Sequence, residues 1–556
     1  MRIPDIVAIC ASNEKQADHF RGLLRRRIEA QLYPREITFA VTYDPPSGRV
    51  GSGGGTLRAL RQLEAEYGPS VRDAKVLLIH AGGESRRLPT YAPEGKLFMP
   101  VPVPSSSPIP PVLLDIQLPL YLEYSWRPGA LVVASGDVAI EMDVSAIPEE
   151  RGDICGFAKS APIDVGARHG VYRFARDRRL VTGFYQKADE AFIEREASLE
   201  DGSRCALDMG TIAFSREGRA ALASLGEIES SGERLLDRID QGSASFDLYL
   251  ELLSGALPDL SFRQYRSLVG PRSRLTEGAL EQFHTLLRGL NLQGVLSSGA
   301  RFLHFGSLLD LPESQKELRA NPITPFYYRS DQSFELAGEE VSEEPILRDP
   351  RTVGGDPVTA VYGRNDTWKP VGSLEELIYC NRPITHWLEE RRLDPAALWP
   401  ERVSQSEYDL YEARLFSPEF DQEFLSGFET VPDQDASEWG RTFAGARRLS
   451  LREINEATNP VEREETLIEK RANDLRERIL SGYGWLTVSE RDFQSIFGQQ
   501  DVPRLTELAA QSSDDLLKLY RNRLLTPLQA DQTNRGTFAI NYLSHLTSPP
   551  TLTIRS

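Results

Sequence analysis

The segment VLLIHA at positions 76–81 is apolar almost throughout and runs directly into a pair of glycines. A strand this apolar has no face for water, so it belongs in a sheet that is covered on both sides. Four similar apolar runs are separated from one another by helical patterns. These runs are IVAIC (6–10), ITFAVTY (37–43), LVVASGD (131–137) and ICGFA (154–158). The alternation predicts that the chain begins with an α/β domain.

Two helices are predicted in this first part. EKQADHFRGLLRRRIEAQL (14–32) has amphipathic spacing, and a second helix is expected to begin at Thr56, after the glycine run GSGGG. The proline-rich stretch PVPVPSSSPIPP (100–111) cannot form regular structure. It is either a surface linker or a loop over the mouth of the sheet. Its position shortly after the glycine pair Gly82-Gly83 favours the loop.

The pattern changes after the first domain. Short strand-like pieces with glycines follow at about 290–385, and the chain beyond about 436 is charged and helical. We therefore predict three domains: 1–285 (α/β), 286–435 (β-rich) and 436–556 (helical). SLRE (450–453) fits a capping box. The closely spaced charges of VEREETLIEKRANDLRERIL (461–480) are typical of a solvated helix face.

Composition narrows the functional classes. The net charge of −18 argues against a nucleic-acid polymer as partner. The 556-residue sequence shows no signal peptide and no membrane-spanning run, so we expect a cytoplasmic protein without a membrane partner. Four distant cysteines (Cys10, Cys155, Cys205, Cys380) predict buried free thiols. An anionic small substrate needs a locally basic pocket.

The motif AGGESRRLPTYAPEGK (81–96) meets that requirement. Ligands of open α/β sheets bind beyond the carboxyl ends of the strands. Gly82 and Gly83 would let backbone N–H groups approach phosphates there. Arg87 and Lys96 would supply fixed positive charge to a triphosphate. The alternative is a tight turn with solvated arginines, which the combination of strand, glycines, arginines and lysine makes the weaker interpretation.

This motif resembles the sugar-nucleotide pyrophosphorylase fingerprint AGG-x-G-T-R-L-x-P, with Ser85 and Arg86 in place of Gly-Thr. Together with GSGGGTLRAL (51–60), LLDIQLPLY (113–121) and ARFLHFG (300–306), it resembles the L-fucose-1-phosphate guanylyltransferase family. The resemblance implies a Rossmann-like nucleotidyltransferase (GT-A-like) domain, a β-rich, β-helix-like domain and a helical C-terminal region. The kinase motifs of bifunctional relatives are not recognisable.

The resemblance also implies a nucleotide site. Gly53 to Gly55 would leave bare N–H groups at a helix N-terminus, which favours anions. The implied nucleotide-binding residues are Gly51, Ser52, Gly53, Gly54, Gly55, Thr56, Gly82, Gly83 and Gln117, with Arg87 and Lys96 as catalytic residues.

A metal site is implied beside it. Asp137 ends the strand of ASGDV, and Mg²⁺ favours one or two carboxylates plus phosphate oxygens. Asp247 in SFDLYLELL is a second candidate ligand, and an N-cap role for Asp247 is equally open. The candidates on the sugar-phosphate side are His169, Gly170, Lys187, Asp208 and Gly210.

The predicted reaction joins an NTP and a sugar 1-phosphate into an NDP-sugar and pyrophosphate. The resemblance implies GTP and L-fucose 1-phosphate. Two alternatives remain: the same chemistry with another sugar or base, and a non-catalytic nucleotide-sugar-binding regulatory protein. An oligomer through the C-terminal regions is possible, and the sequence does not decide it.

Overall fold

The computed structural model describes most of the chain. It covers residues 3–327 apart from 106, 149–151, 200–201 and 231, residues 344–400, 407–419 and 436–480, and the short ranges 486–489, 496–501, 503–504 and 537–540. The predicted strands and the two predicted helices of the first domain are present, although the second helix begins at Gly51 and not at Thr56. The chain is a mixed α/β protein.

The strands are β1 (Ile6–Ala11), β2 (Thr38–Tyr43), β3 (Val76–His80), β4 (Leu131–Ser135), β5 (Val138–Glu141), β6 (Ile154–Pro162), β7 (Gly170–Phe174), β8 (Val181–Gln186), β9 (Arg204–Phe214), β10 (Glu229–Ser230), β11 (Glu233–Arg234), β12 (Leu292–Ser297), β13 (Arg301–His304), β14 (Ile346–Val353), β15 (Asp356–Gly363), β16 (Ile378–Tyr379), β17 (Arg382–Pro383), β18 (Arg414–Phe416), β19 (Leu449–Ser450), β20 (Leu486–Ser489) and β21 (Thr537–Ile540).

The α-helices are α1 (Glu14–Glu29), α2 (Gly51–Tyr67), α3 (Leu113–Glu123), α4 (Ile163–Gly166), α5 (Glu190–Glu196), α6 (Arg216–Gly226), α7 (Leu235–Asp240), α8 (Leu253–Gly255), α9 (Phe262–Val269), α10 (Glu277–Leu287), α11 (Leu311–Ala320), α12 (Ile384–Glu390), α13 (Ala436–Gly445), α14 (Leu451–Ala457) and α15 (Pro460–Leu480).

One mixed sheet organises the first part of the chain. Its main path runs β12-β6-β9-β4-β3-β1-β2; off this path, β7 pairs with β9 and β8 pairs with β7. β1 pairs in parallel with both β2 and β3, and β3 pairs in parallel with β4. Strand β9 is antiparallel to β4 and β6. Every residue of β1 is buried, as its apolar sequence predicts.

The strand order creates a crevice at the carboxyl edge of the sheet. Since β2 and β3 pair with opposite sides of β1, the chain reverses its course across the sheet between β1 and β3. The loops after these two strands separate at that point, which is where open α/β sheets bind ligands.

The sheet extends past the predicted boundary at residue 285. Its edge strand β12 pairs with β6, and β13 pairs with β5. Residues 292–304 therefore pack with the first domain, and residues 3–304 are called the first unit below. In the described part of 344–419, the ladder β14–β15 is an antiparallel pair, and so is β16–β17. A β-helix would instead stack strands in parallel coils, so the described residues do not show that form. The division into three domains stays a prediction.

The helices that follow residue 450 pack onto the first unit. The capping box is confirmed, with Ser450 and Glu453 bonding reciprocally at the start of α14. The expected solvated face of α15 is wrong in part, because Glu464 is 7% exposed and Arg471 is 5% exposed. Glu464 lies 2.6 Å from the buried guanidinium of Arg27 on α1. A charge pattern cannot show such a partner, because the partner lies in a distant part of the chain.

Three smaller predictions can also be compared with the structure. The proline-rich stretch 100–111 forms no helix or strand, and most of its described residues are buried. All four cysteines are free thiols, and three of them are buried. Within the described ranges, none of the helices combines the length and the apolar character that crossing a bilayer requires.

Candidate active site

Two cavities open at the carboxyl edge of the sheet. The larger, of about 800 Å³, is lined by the loops that follow β1, β2, β3 and β4. The smaller, of about 280 Å³, lies between β4, β7, β9 and β13. His80, Ser135 and Asp137 line both cavities, so the two spaces adjoin at these residues.

The second glycine motif forms one wall of the larger cavity. Gly82, Gly83, Arg87 and Lys96 all line it, as predicted for a triphosphate site. A Cβ on Gly82 would lie 2.9 Å from the backbone nitrogen of Ser12, so a side chain there would press apart the loops after β1 and β3. The glycine therefore keeps these two loops in close contact.

Ser85 shows why the general fingerprint has glycine at its position. Its φ is +49°, in the left-handed region that glycine adopts at no steric cost.

Lys96 and Asp137 face each other where the cavities meet. Lys96 Nζ donates to Asp137 Oδ2 at 2.9 Å, and Ser135 Oγ donates to Asp137 Oδ1 at 2.6 Å. Burial alone would raise the pKa of Asp137, but Lys96, followed by His304 and Ser135, holds it well below its usual value. Asp137 is therefore an ionised carboxylate at neutral pH.

His304 is a functional candidate that the sequence did not reveal. Its Nε2 lies 3.7 Å from Asp137 Oδ2 and its Nδ1 lies 3.4 Å from an oxygen of Asp310. Burial works to lower the pKa of His304, but the two carboxylates raise it to about 9. A second cation therefore lines the smaller cavity beside Asp137. The motif ARFLHFG contained the only signal, and there the histidine is one residue of an apolar strand.

His80, at the end of β3, is uncharged, in contrast to His304. Burial lowers the pKa of His80 to about 4, so the ring is neutral. Thr56 Oγ1 donates its single hydrogen to Ser52 O at 2.8 Å, so it can only accept from His80 Nε2, which lies 2.9 Å away. This places the ring hydrogen on Nε2.

Four predicted sugar-phosphate residues, His169, Gly170, Asp208 and Gly210, line the smaller cavity. Burial raises the pKa of Asp208 to about 7, against the effect of hydrogen bonds from Tyr172 and the Gly210 backbone. The Tyr172 hydroxyl donates to Asp208 Oδ1 at 3.0 Å.

Lys187 is placed differently from those four residues. It is exposed and lies outside the lining of both cavities, while its neighbour Gln186 lines the smaller one. Its backbone N–H donates to the carbonyl of His169 at 2.8 Å.

The first glycine run differs from its prediction. Helix α2 begins at Gly51, so the glycines form its first turn, and Thr56 lies inside the helix. The expectation of bare N–H groups is wrong for Gly53 and Gly54, because both donate to the carbonyl oxygen of Phe246, at 3.0 and 3.2 Å. A Cβ on Gly53 would lie 2.1 Å from the Phe246 ring. Gly53 therefore allows close packing against the Phe246 ring.

Of the remaining members of this run, Ser52 differs from the others in its position relative to the cavities. Gly51, Gly55 and Thr56 are not among the residues that line them, whereas Ser52 lines the smaller cavity. Ser52 Oγ donates to Asp247 Oδ2 at 2.7 Å.

Asp247 and Gln117 act on the backbone around the site. Asp247 Oδ1 accepts from the N–H groups of Tyr249 and Leu250, so Asp247 caps the following helical turn. This is the alternative that the sequence left open. Gln117 Nε2 donates to the carbonyls of Ser135 and Val138, on either side of Asp137. Gln117 therefore supports the loop that presents Asp137.

The mixed sheet, with a cationic glycine loop and two adjoining cavities at its carboxyl edge, defines an α/β core with a candidate site for anionic ligands. The match to known proteins is more specific. Residues 68–318 match the model of the family described as the fucose pyrophosphorylase domain, which confirms the resemblance predicted from the glycine motifs.

Curated relatives agree with this family. The chain is 28% identical over 329 residues to the fucose-1-phosphate guanylyltransferase of Homo sapiens, which covers 54% of this chain and 53% of that protein. It is 40% identical over 152 residues to the L-fucokinase/L-fucose-1-P guanylyltransferase of Bacteroides fragilis, covering 25% of this chain and 16% of that one. The matched region thus spans about half the length of the human relative.

Solved structures are more distant. HddC from Yersinia pseudotuberculosis, complexed with GMP-PN, aligns with 56% of this chain and 96% of its own at 11% identity, with a TM-score of 0.24. The inositol-1-phosphate CTP transferase from T. maritima aligns with 58% of this chain and 97% of its own at 10% identity, with a TM-score of 0.23.

Proposed function

We propose that this protein is a sugar-1-phosphate nucleotidyltransferase that makes GDP-L-fucose and pyrophosphate from GTP and L-fucose 1-phosphate. The observation that carries the proposal is the pair of cavities that adjoin at Asp137, one of them lined by the cationic glycine motif. The names of the relatives support the choice of GTP and fucose 1-phosphate.

The arrangement suits an in-line displacement at the junction of the cavities. The triphosphate occupies the larger cavity and the sugar phosphate occupies the smaller one. A phosphate oxygen of the sugar phosphate forms a bond to the α-phosphorus of GTP. The bond from that phosphorus to the bridging oxygen of the β-phosphate breaks, and pyrophosphate leaves with the electron pair. The nucleophile is already an anion, so no general base is needed.

The chain's own cations offset the repulsion between the two anions. Arg87 and Lys96 line the triphosphate side, and His304 lines the sugar-phosphate side. Holding both substrates in line contributes about 7–11 kcal/mol to lowering the barrier. Each well-placed cation adds about 3 kcal/mol, by analogy with the loss of an oxyanion-hole donor.

Asp137 fits as a ligand for Mg²⁺. It is an ionised carboxylate that lines both cavities, and the phosphate oxygens of GTP would complete the coordination. Asp247 fits less well, because its oxygens already accept three hydrogen bonds. Among the described residues, no group of three or more His, Cys, Asp or Glu side chains could hold a metal by itself. When bound, Mg²⁺ neutralises phosphate charge.

The test is pyrophosphate release across NTPs and sugar 1-phosphates, with and without Mg²⁺. We expect turnover with GTP and L-fucose 1-phosphate. Lys96→Ala should lower kcat/KM by at least 100-fold, the size of effect seen when one oxyanion-hole donor is lost. Lys316→Ala, at an exposed site on α11, is the matched control.

Each other outcome contradicts part of the proposal. Turnover with a different sugar or base would correct the substrate, and GTP binding without pyrophosphate release from any pair would favour the regulatory protein. Wild-type turnover of Lys96→Ala would remove Lys96 from the mechanism.

A further inference from the structure

The loop that carries Arg87 and Lys96 has little regular structure of its own. Between β3 and α3 the chain forms short 3₁₀ turns at Pro89–Tyr91 and Lys96–Phe98. The positions of its two cations therefore depend on what holds the loop from outside.

One anchor comes from α15. Arg463 Nη1 donates to both carboxylate oxygens of Glu94, at 2.9 and 3.2 Å, and to the carbonyl of Thr90 at 2.7 Å. Glu94 is 6% exposed and lies two residues before Lys96. A buried carboxylate stripped of its cation is costly, so this contact fixes the loop strongly. Arg351 on β14 reinforces it by donating to the same Thr90 carbonyl at 2.7 Å.

A second anchor holds the other end of the loop. Arg452 Nη1 on α14 donates to Glu84 Oε1 at 2.8 Å, and Arg86 Nε donates to Glu84 Oε2 at 2.6 Å. Arg86 also pairs with Asp409. Both guanidinium groups lie over the ring of Tyr411, at 5.1 Å for Arg86 and 5.5 Å for Arg452.

We propose that Arg463 and Arg452 are positioning residues that hold the loop 82–98 in the conformation that binds the triphosphate. The helices α14 and α15 then position the nucleotide-binding loop, although they lie more than 350 residues from the loop in sequence. The inference rests on the proposed function for its kinetic consequences. The geometry of the anchors does not depend on the identity of the sugar.

The first measurement needs no turnover. Hydrogen exchange of backbone amides in residues 84–98 is compared in the wild type, Arg463→Gln and Glu469→Gln. Glu469 is exposed on the same helix and serves as the control. We expect exchange in the loop to quicken at least tenfold in Arg463→Gln and to stay unchanged in Glu469→Gln. Unchanged exchange in Arg463→Gln would overturn the proposal, even if the reaction is one other than we propose.

The second measurement separates positioning from general stability. Arg463→Gln should lower kcat/KM for GTP by about 10- to 100-fold, because a displacement of the order of 1 Å can cost that much. The KM for L-fucose 1-phosphate should change less than twofold. Arg463→Lys keeps the charge and should recover part of the loss. An equal rise in both KM values, with no recovery by lysine, would contradict the proposal.

A double-mutant cycle tests the pair itself. Glu94→Gln/Arg463→Gln should be no slower than the slower single variant, since both changes break the same contact. Losses that multiply would show that the two residues act independently, and they would refute the anchor. A wild type that binds GTP but turns over no sugar phosphate would refute the proposed function. The hydrogen exchange of residues 84–98 would then still test whether Arg463 holds the loop.

Discussion

Asp208 gives the sharpest test of the site, through the replacement Asp208→Asn. Asn keeps an oxygen that accepts from the Tyr172 hydroxyl, and it cannot ionise. In the folded protein, burial raises the pKa of Asp208 from 3.8 to about 7. An acid whose pKa is raised on folding costs stability wherever the unfolded chain is ionised. Stability therefore falls as the pH rises from 3.8 to about 7, and the full cost persists above that range.

The size of the effect follows from the shift. About three pKa units correspond to about 4 kcal/mol at 1.36 kcal/mol per unit. The linkage relation gives a penalty of about 2 kcal/mol at pH 5 and about 4 kcal/mol at pH 8. The advantage of Asp208→Asn over the wild type should therefore grow by about 2.6 kcal/mol between these pH values. At about 2–4 °C in Tm per kcal/mol, this is a shift of about 5–10 °C.

The assay is thermal unfolding of both proteins at pH 5 and pH 8, followed by far-ultraviolet circular dichroism. Asp164→Asn serves as the control for replacing a carboxylate by an amide, because Asp164 is exposed in the same half of the chain. A Tm difference for Asp208→Asn that is the same at both pH values would refute the reasoning. It would show that Asp208 does not titrate between them in the folded protein.

Variants at three positions test the interpretation of the first glycine run. Gly53→Ala should destabilise the protein by about 1–3 kcal/mol in denaturant unfolding, because its Cβ would lie 2.1 Å from the Phe246 ring. Gly54→Ala, with its nearest contact at 3.1 Å, should cost less, and equal losses would contradict the packing role. Thr56→Val should cost about 1–3 kcal/mol, because the Nε2 hydrogen of His80 loses its acceptor, whereas Thr56→Ser should cost less. A raised KM for GTP without lost stability would instead place Thr56 in contact with the nucleotide.

The sheet and the larger cavity could be predicted because their signals are local. An apolar run such as 76–81 must be buried on both faces wherever it lies, and a glycine pair directly after it must sit at the sheet edge. Lys96 and Asp137 were predicted by the same logic, since each follows a recognisable motif. The structure brings them together at 2.9 Å.

The parts that failed depend on contacts between distant segments. The glycine run predicts free N–H groups at a helix N-terminus, because glycine has no side chain to keep an anion away from the backbone there. The carbonyl oxygen of Phe246 accepts the N–H groups of Gly53 and Gly54 instead, and nothing in the sequence near residue 51 reveals this contact. His304 reaches Asp137 only because β13 pairs with β5, and a histidine in an apolar strand carries no sign of that pairing.

The contact between α1 and α15 has a consequence for the order in which the chain folds during its synthesis. Arg27 is fully buried beside Asp115 and Glu464, and Glu464 also pairs with Arg26, 438 residues earlier in the chain. At a synthesis rate of about 5–20 residues per second, Glu464 leaves the ribosome roughly 20–90 s after Arg26. During that interval the guanidinium of Arg27 has no Glu464 beside it, so the site for α15 stays open on the growing first unit.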